Sequence, residues 1–186
     1  FSYLNRARVL GESIKRHHPD WVVWAVIKDK ATAGFEFDFE FEPYDRILMV
    51  EEMYGEETEA WLFKHDIVEA CTAVKGRALE RIMDEPGAER VIYFDPDIAL
   101  FHPLDTIEAA LEDYSIVLTP HQLTPDSEPV AIRDNEITSL GYGVFNLGFV
   151  AVRVDDEARN FAAWWRARLD NYCYDRRDIG LFVDQK

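Results

Sequence analysis

The chain has 186 residues, 48% hydrophobic and 13% aromatic, enough apolar material for one domain with a real core and too much for a disordered chain. Thirty-six acidic residues against twenty basic ones leave a formal net charge of -16, a field that repels polyanions and argues against nucleic acid and anionic membranes as partners. The longest apolar run, Trp21 to Ile27, falls far short of the roughly 20 residues that span a bilayer, so no transmembrane segment is expected.

Two cysteines, Cys71 and Cys173, lie too far apart for a CxxC motif and read as small core residues of a reducing, cytoplasmic compartment. The chain opens on Phe1 without a Met or signal-peptide pattern and stops on Asp184-Gln185-Lys186, so it reads as an internal fragment of one domain, truncated at both ends.

Leu4, Ala7, Val9, Leu10 and Ile14 form a helical stripe that predicts a helix from Leu4 to Arg16, closed by His17-His18-Pro19-Asp20. Trp21 to Ile27 predicts a buried strand, and Phe35 to Glu42, alternating aromatic and acidic, a half-wet strand, an edge strand or a loosely held loop. A helix is expected over Asp66 to Met83, with Ile67, Ala70, Cys71, Val74, Ala78, Leu79 and Ile82 on one side. Pro86-Gly87 breaks it before a strand from Arg90 to Phe94. Pro103 starts a helix to about Glu112, a strand covers Ser115 to Thr119, and residues 121–136 read as a functional loop or a partly disordered one. Val144 to Arg153 predicts a further strand, and Asp155-Asp156-Glu157 open a helix to about Asn171. Such alternation implies an α/β fold with a mostly parallel sheet flanked by helices, whose ligands sit where strands end.

One strand ends on chemistry. Val91-Ile92-Tyr93-Phe94 runs into Asp95-Pro96-Asp97, and a spacing of two puts both carboxylates on one side of an extended backbone. Like charges held that close repel unless a cation lies between them, and Mg2+ or Mn2+ is bound through one or two carboxylates plus substrate phosphates. The plainer reading is that both aspartates cap the turn at Pro96.

Asp95-Pro96-Asp97 after that strand, Phe145-Asn146-Leu147-Gly148-Phe149 opening another, and Asp184-Gln185 some forty residues later resemble the nucleotide-sugar glycosyltransferases of the GT-A fold, in the glycogenin-like and bacterial galactosyltransferase-like branch. The resemblance implies a single Rossmann-like nucleotide-sugar-binding domain with Mn2+ (or Mg2+) held by Asp95 and Asp97 against the diphosphate of a donor, in all expectation a UDP-sugar. It further implies donor-sugar contacts from Asn146 and Gly148, and Asp184 and Gln185 as catalytic groups beside the anomeric carbon. Tyr3 matches a residue that stacks near the base, and Lys75 falls where the family carries a basic residue. The resemblance also implies a saccharide or other hydroxyl as acceptor. Two family features, a first strand ahead of Tyr3 and a histidine beyond Lys186 that completes the metal shell, lie outside the sequence.

Each residue also has a plainer role. Asn146 can satisfy a backbone group, Gly148 can mark a bulge or close approach, and Lys75-Gly76 can be a solvated charge beside a packing point. His17, His18, His65 and His102 have ordinary structural explanations, whereas His121 follows a strand on the rim of the acidic pair and is a candidate contact to acceptor or phosphate. Trp164 and Trp165 read as core and its margin. The competing functions are a haloacid-dehalogenase-like phosphatase, whose nucleophile and general acid also form a strand-Asp-x-Asp, and a non-catalytic nucleotide-sugar or Ca2+-binding module. Against the phosphatase, that motif normally closes a first strand, whereas Asp95 lies halfway along this chain.

Overall fold

The computed structural model describes residues 2–30, 34 and 36–185. Helix α1 (Leu4–His17) carries Lys15, Arg16 and His17 in its last turn, where cations complement the helix dipole, and buries Leu10 and Ile14. It also anchors the segment that follows the acidic pair. Ser13 Oγ accepts from the Leu100 amide at 2.9 Å, and His18 Nε2 accepts from the Leu104 amide at 2.9 Å. His18 stacks on Trp21 with ring centroids 3.8 Å apart, so its role is structural.

The strand expected from Trp21 begins later, as β1 (Trp24–Ile27), and pairs in parallel with β2 (Arg46–Met49). Residues 36–42 form no strand: Phe39 and Phe41 are exposed, so the alternation has no buried face to favour pairing, and the loop reading holds. Phe35 lies outside the described residues. Two short helices, α2 (Val50–Tyr54) and α3 (Thr58–Lys64), precede the long α4 (Ile67–Met83).

Asp66 caps α4 by accepting from the Glu69 amide at 2.8 Å, while the Glu69 carboxylate accepts from the Asp66 amide at 3.0 Å. The buried face of α4 is Ala70, Ala73, Val74, Ala78, Leu79 and Met83, whereas Ile67 at its start is exposed. Small residues on that face let α8 (Asp156–Tyr172) approach closely. A Cβ on Gly76 would sit 2.7 Å from the Arg166 Cα, so no side chain fits there. Asp155 caps α8 through the Ala158 amide at 3.0 Å. Trp165 and Leu169 are fully buried on it, each worth on the order of 2–3 kcal/mol of burial. Trp164 is half exposed at the core's margin.

Strand β3 (Arg90–Phe94) leads through α5 (Asp105–Asp113) to β4 (Ile116–Pro120). The helix starts two residues after Pro103 rather than on it. Residues 121–136, expected as loop, become helical from Pro129: α6 (Pro129–Ala131), a π-helical turn over Ile132–Ile137, and α7 (Thr138–Tyr142). Strand β5 (Phe145–Arg153) then inserts between β3 and β4, antiparallel to both. The expected mostly parallel sheet is therefore corrected. The β3-α5-β4 crossover does set its two strands in the same direction, but the space it leaves is filled from the opposite side, so β1–β2 is the parallel pair among the described residues. The architecture is mixed α/β, with helices packed on small sheets. A short hairpin of β6 (Asp175–Arg176) and β7 (Leu181–Phe182) delivers the final 3-10 turn, Val183–Gln185. No helix among the described residues is long and apolar enough to cross a membrane.

Candidate functional site

The carboxyl end of β3 collects side chains from four distant parts of the chain. Lys75, buried on α4, points its ammonium at Asp184 Oδ2 (2.6 Å), Asp95 Oδ1 (3.1 Å) and the Leu147 carbonyl (3.0 Å). Two hydrogen bonds, to Asp184 and Leu147, and an ion pair with Asp95 hold the amine in place. Lys75 is thus a buried clamp rather than a solvated charge, and its ammonium lies 4.9 Å from the centre of the Tyr93 ring. Tyr93 donates its hydroxyl to Asp95 Oδ1 at 2.5 Å. Burial first, then the neighbouring Asp95 carboxylate, holds the Tyr93 phenol well above its usual range, so it stays protonated and remains the donor.

These contacts fix Asp95 by one oxygen and leave the other, Oδ2, facing Gly148, whose Cβ position would be 3.0 Å from it. Gly148 is there because β5 is irregular. Leu118 pairs with Val150 but Thr119 pairs with Asn146, so residues 147–149 bulge, and the Gly148 carbonyl accepts from the Asp95 amide at 2.8 Å. Asn146 Oδ1 accepts from the Gly148 amide at 2.9 Å, the backbone role foreseen for it. Asp97 is exposed and, among the described residues, its side chain makes no hydrogen bond or ion pair.

Asp184 is buried, with Oδ1 accepting from Gln185 Nε2 at 3.3 Å and Oδ2 from Lys75. Its backbone is held by Trp165, whose Nε1 donates to the Asp184 carbonyl at 3.4 Å. The residue before it, Val183, has φ 40, a left-handed conformation that is strained for a β-branched side chain. Its buried side chain and an amide donation to the Tyr174 carbonyl at 3.1 Å hold it there. Gln185 Oε1 is buried without a hydrogen-bond partner among the described residues and lies 2.5 Å from the Cβ position of Gly143. Gly143, at φ 143, has the conformation and the closeness that only glycine allows. His121 reaches this wall from the rim: its Nδ1 lies 3.1 Å from the Gly143 carbonyl and its amide donates to the Val144 carbonyl at 3.0 Å.

Lys75, Asp95, Asn146, Gly148, Asp184 and Gln185 therefore form one bonded cluster, with His121 at its margin. Tyr3 stands apart from it. It is half exposed at the start of α1, with the Arg6 guanidinium 5.1 Å from its ring centre. Tyr3, Lys75, Asp95 and Asp97 share the wall of a cleft of about 960 Å3, whereas Asn146, Gly148, Asp184 and Gln185 join the site through Asp95 and Lys75. Two participants escaped sequence reasoning. Tyr93 is two residues before Asp95 on the same side of the strand, so the period of two was its available signal. Gly143 closes the glycine pair Gly141-Tyr142-Gly143 before a strand, a turn signal only.

Charge at the cluster is unbalanced. Two carboxylates, Asp95 and Asp184, share one ammonium, and among the described residues Asp95 Oδ2 and both oxygens of Asp97, two residues further on, have no protein donor. This is a donor set of hard oxygens that suits a divalent cation completed by water or ligand oxygens. No group of three or more His, Cys, Asp or Glu side chains assembles among the described residues.

Over 122 residues the chain is 27% identical to an uncharacterized protein YfnF of Bacillus subtilis (strain 168), a match covering 64% of this chain and 39% of that protein. The chain thus spans well under half the length of this relative. No protein-family model matches the chain, and no solved structure does.

Proposed function

We propose that this domain binds a nucleoside-diphosphate sugar, a UDP-sugar in the first instance, through a divalent cation and transfers the sugar to an acceptor hydroxyl. The observation that carries this reading is the convergence of Lys75, Asp95, Asn146, Gly148, Asp184 and Gln185 at the end of β3. Residues picked from three separate motifs would not meet at one strand end if each merely capped its own turn.

In this reading the exposed Asp97 and the free oxygen of Asp95 hold the cation, and Tyr93 and Lys75 orient Asp95 by its other oxygen. When bound, the cation draws charge from the diphosphate and stabilises it as it leaves. Lys75 is a positioning residue, because its donors are engaged by protein acceptors. Asp184 acts through Lys75 and Gln185, both its oxygens being bonded to protein donors. Gln185 Oε1 is buried behind the cleft wall against Gly143, so in this reading Gln185 acts by holding Asp184 rather than by touching the sugar. The acceptor oxygen then bonds to that carbon as its bond to the diphosphate oxygen breaks, and the hydroxyl proton is released.

Titration calorimetry with UDP and several UDP-sugars, with and without Mn2+, tests the reading. Asp97→Asn removes a ligand without touching a packed group and should abolish the Mn2+-dependent share of the affinity. Wild-type affinity in that variant would sink the assignment. Hydrolysis of an aryl phosphate with Mg2+, with a phosphoryl group trapped on Asp95, would place the domain among phosphatases instead.

A further inference from the structure

His65, between α3 and α4, is the third rung of a ladder of rings. Tyr54 stacks on Trp61 with centroids 4.2 Å apart, Trp61 tilts against His65 at 4.8 Å, and His65 stacks on Tyr174 at 5.6 Å, 17° from parallel. The first two rings are buried in the core. Tyr174 instead leads into the β6–β7 hairpin, whose strands are two residues long and whose residues 175–179 are exposed.

The bonds of His65 fix its protonation state. Nδ1 lies 2.9 Å from the Trp61 carbonyl, which only accepts, so Nδ1 carries the proton and the neutral ring keeps a lone pair on Nε2. Nε2 is buried and has no hydrogen-bond partner among the described residues. A second proton would place an N–H there with nothing to accept it. Trp61 offers only a donor, Nε1, itself buried and unpartnered. The surrounding charges supply no acceptor either. On α3, Lys64 is a cation that donates to the Asp170 carbonyl. On α4, Asp66 and Glu69 accept from each other's amides, and the second Glu69 oxygen accepts from the Asp175 amide at 2.9 Å. Beyond Tyr54 of α2, Arg77 is paired with Asp170. On the hairpin side, Asp175 pairs with Arg177, and the buried Cys173 thiol lies 3.2 Å from Thr72 Oγ1. Burial therefore holds the imidazole below its ordinary range, helped by Lys64 and opposed by the Trp61 carbonyl, Glu69 and Asp66.

The hairpin in turn holds one end of the bonded cluster. The Val183 amide donates to the Tyr174 carbonyl at 3.1 Å, and Val183, at φ 40, leads directly into Asp184. A charged His65 gains water only by parting from Trp61 or from Tyr174. The Tyr174 side yields first, because two-residue strands with exposed side chains resist opening least. Tyr174 then takes its carbonyl away from Val183, whose strained backbone relaxes and carries Asp184 and Gln185 with it.

We infer that His65 is a pH-sensitive latch on the β6–β7 hairpin: the neutral ring holds Tyr174 and thereby the Val183–Gln185 turn, and the charged ring releases them. The latched ring takes up its proton at lower pH than an exposed one, so the open form binds more protons. The latch is complete above about pH 6.5 and weakens as pH falls below it, by at most about tenfold per pH unit. Nothing in this device depends on the chemistry proposed for the site.

Amide hydrogen exchange at Val183 and Asp175, read in the intact protein at about pH 7.5 and about pH 5.5 and corrected for the pH dependence of unprotected amides, is the test. Between those values their protection should drop about 3- to 10-fold in the wild type and stay constant in His65→Phe, which keeps a stacking ring and removes the titration. Unchanged protection in the wild type overturns the inference. So does an equal drop in His65→Phe, which would pass the effect to another group such as His121, whose Nδ1 lies 3.1 Å from the Gly143 carbonyl on the other side of the turn. The ring itself gives a second readout that needs no variant. In an NMR titration of the wild type, His65 should take up its proton below about pH 6.5, with the Tyr174 ring resonances moving in step. A His65 that protonates at or above that value has found a partner for Nε2, and the latch is then excluded whatever the variant does.

Discussion

Asp97 is exposed whereas Lys75 and Asp184 are buried, so they should respond differently to substitution. Asp97 is exposed and unpaired, so Asp97→Asn should leave the melting temperature unchanged while removing metal-linked ligand affinity. Lys75 and Asp184 are a buried pair, and removing one partner strands the other charge in a site from which water is excluded. Lys75→Met or Asp184→Leu alone should cost about 3–5 kcal/mol, read by urea unfolding, and the double substitution should recover a large part of that loss. Additive losses would mean that the pair is not coupled. Gly148 is constrained by Asp95 and Asn146 rather than by backbone conformation. Gly148→Ala should therefore push the Asp95 carboxylate aside and weaken Mn2+ affinity more than it lowers stability.

At the level of elements, the α4–α8 contact and the α8 cap carry separable predictions. A methyl at Gly76 meets the Arg166 backbone, which cannot move without moving the helix, so Gly76→Ala should destabilise by about 1–3 kcal/mol despite the better helix propensity of alanine. The Asp155 carboxyl is lowered from 3.8 to about 2, chiefly because it accepts from the Ala158 amide, then from the Ser115 hydroxyl and beside the Arg153 guanidinium. A depressed folded value stabilises above the unfolded one, so this contribution is complete above about pH 4 and is lost as pH falls toward about 2. Asp155→Asn should narrow the gap to wild type over that window, measured as melting temperature against pH. A constant gap would show that the charge of Asp155 contributes nothing. The helices were the most legible elements, because Asp66 with Glu69, and Asp155 ahead of Asp156 and Glu157, are capping chemistry written in adjacent residues. The stretch from Phe35 to Glu42 misled because alternation predicts a strand only if one face has something to pack on, and none of its neighbours in sequence can report that.

Across the whole molecule, a net charge of -16 opposes the approach of a nucleoside diphosphate, and salt screens that opposition over about 8–10 Å. Without divalent metal, raising monovalent salt from low to physiological levels should speed UDP association in stopped-flow measurements. A slower rate would reveal a local positive field that overrides the total. By itself the sequence determined that there is a core, that β3 runs into two carboxylates, and where the long helices begin; it did not determine that Asp97 lies on a turn closed by the Ile98 amide on the Asp95 carbonyl rather than on extended backbone. Those it did determine follow from composition, from the period of a strand and from hydrogen bonds between near neighbours. Only the tertiary structure decided that β5 enters between β3 and β4 in the opposite direction, that Lys75 is buried, and that its ammonium joins Asp95 to Asp184. Those outcomes depend on which distant segments share a space and on the charge each must neutralise once water has been excluded, and no spacing within a single segment encodes either.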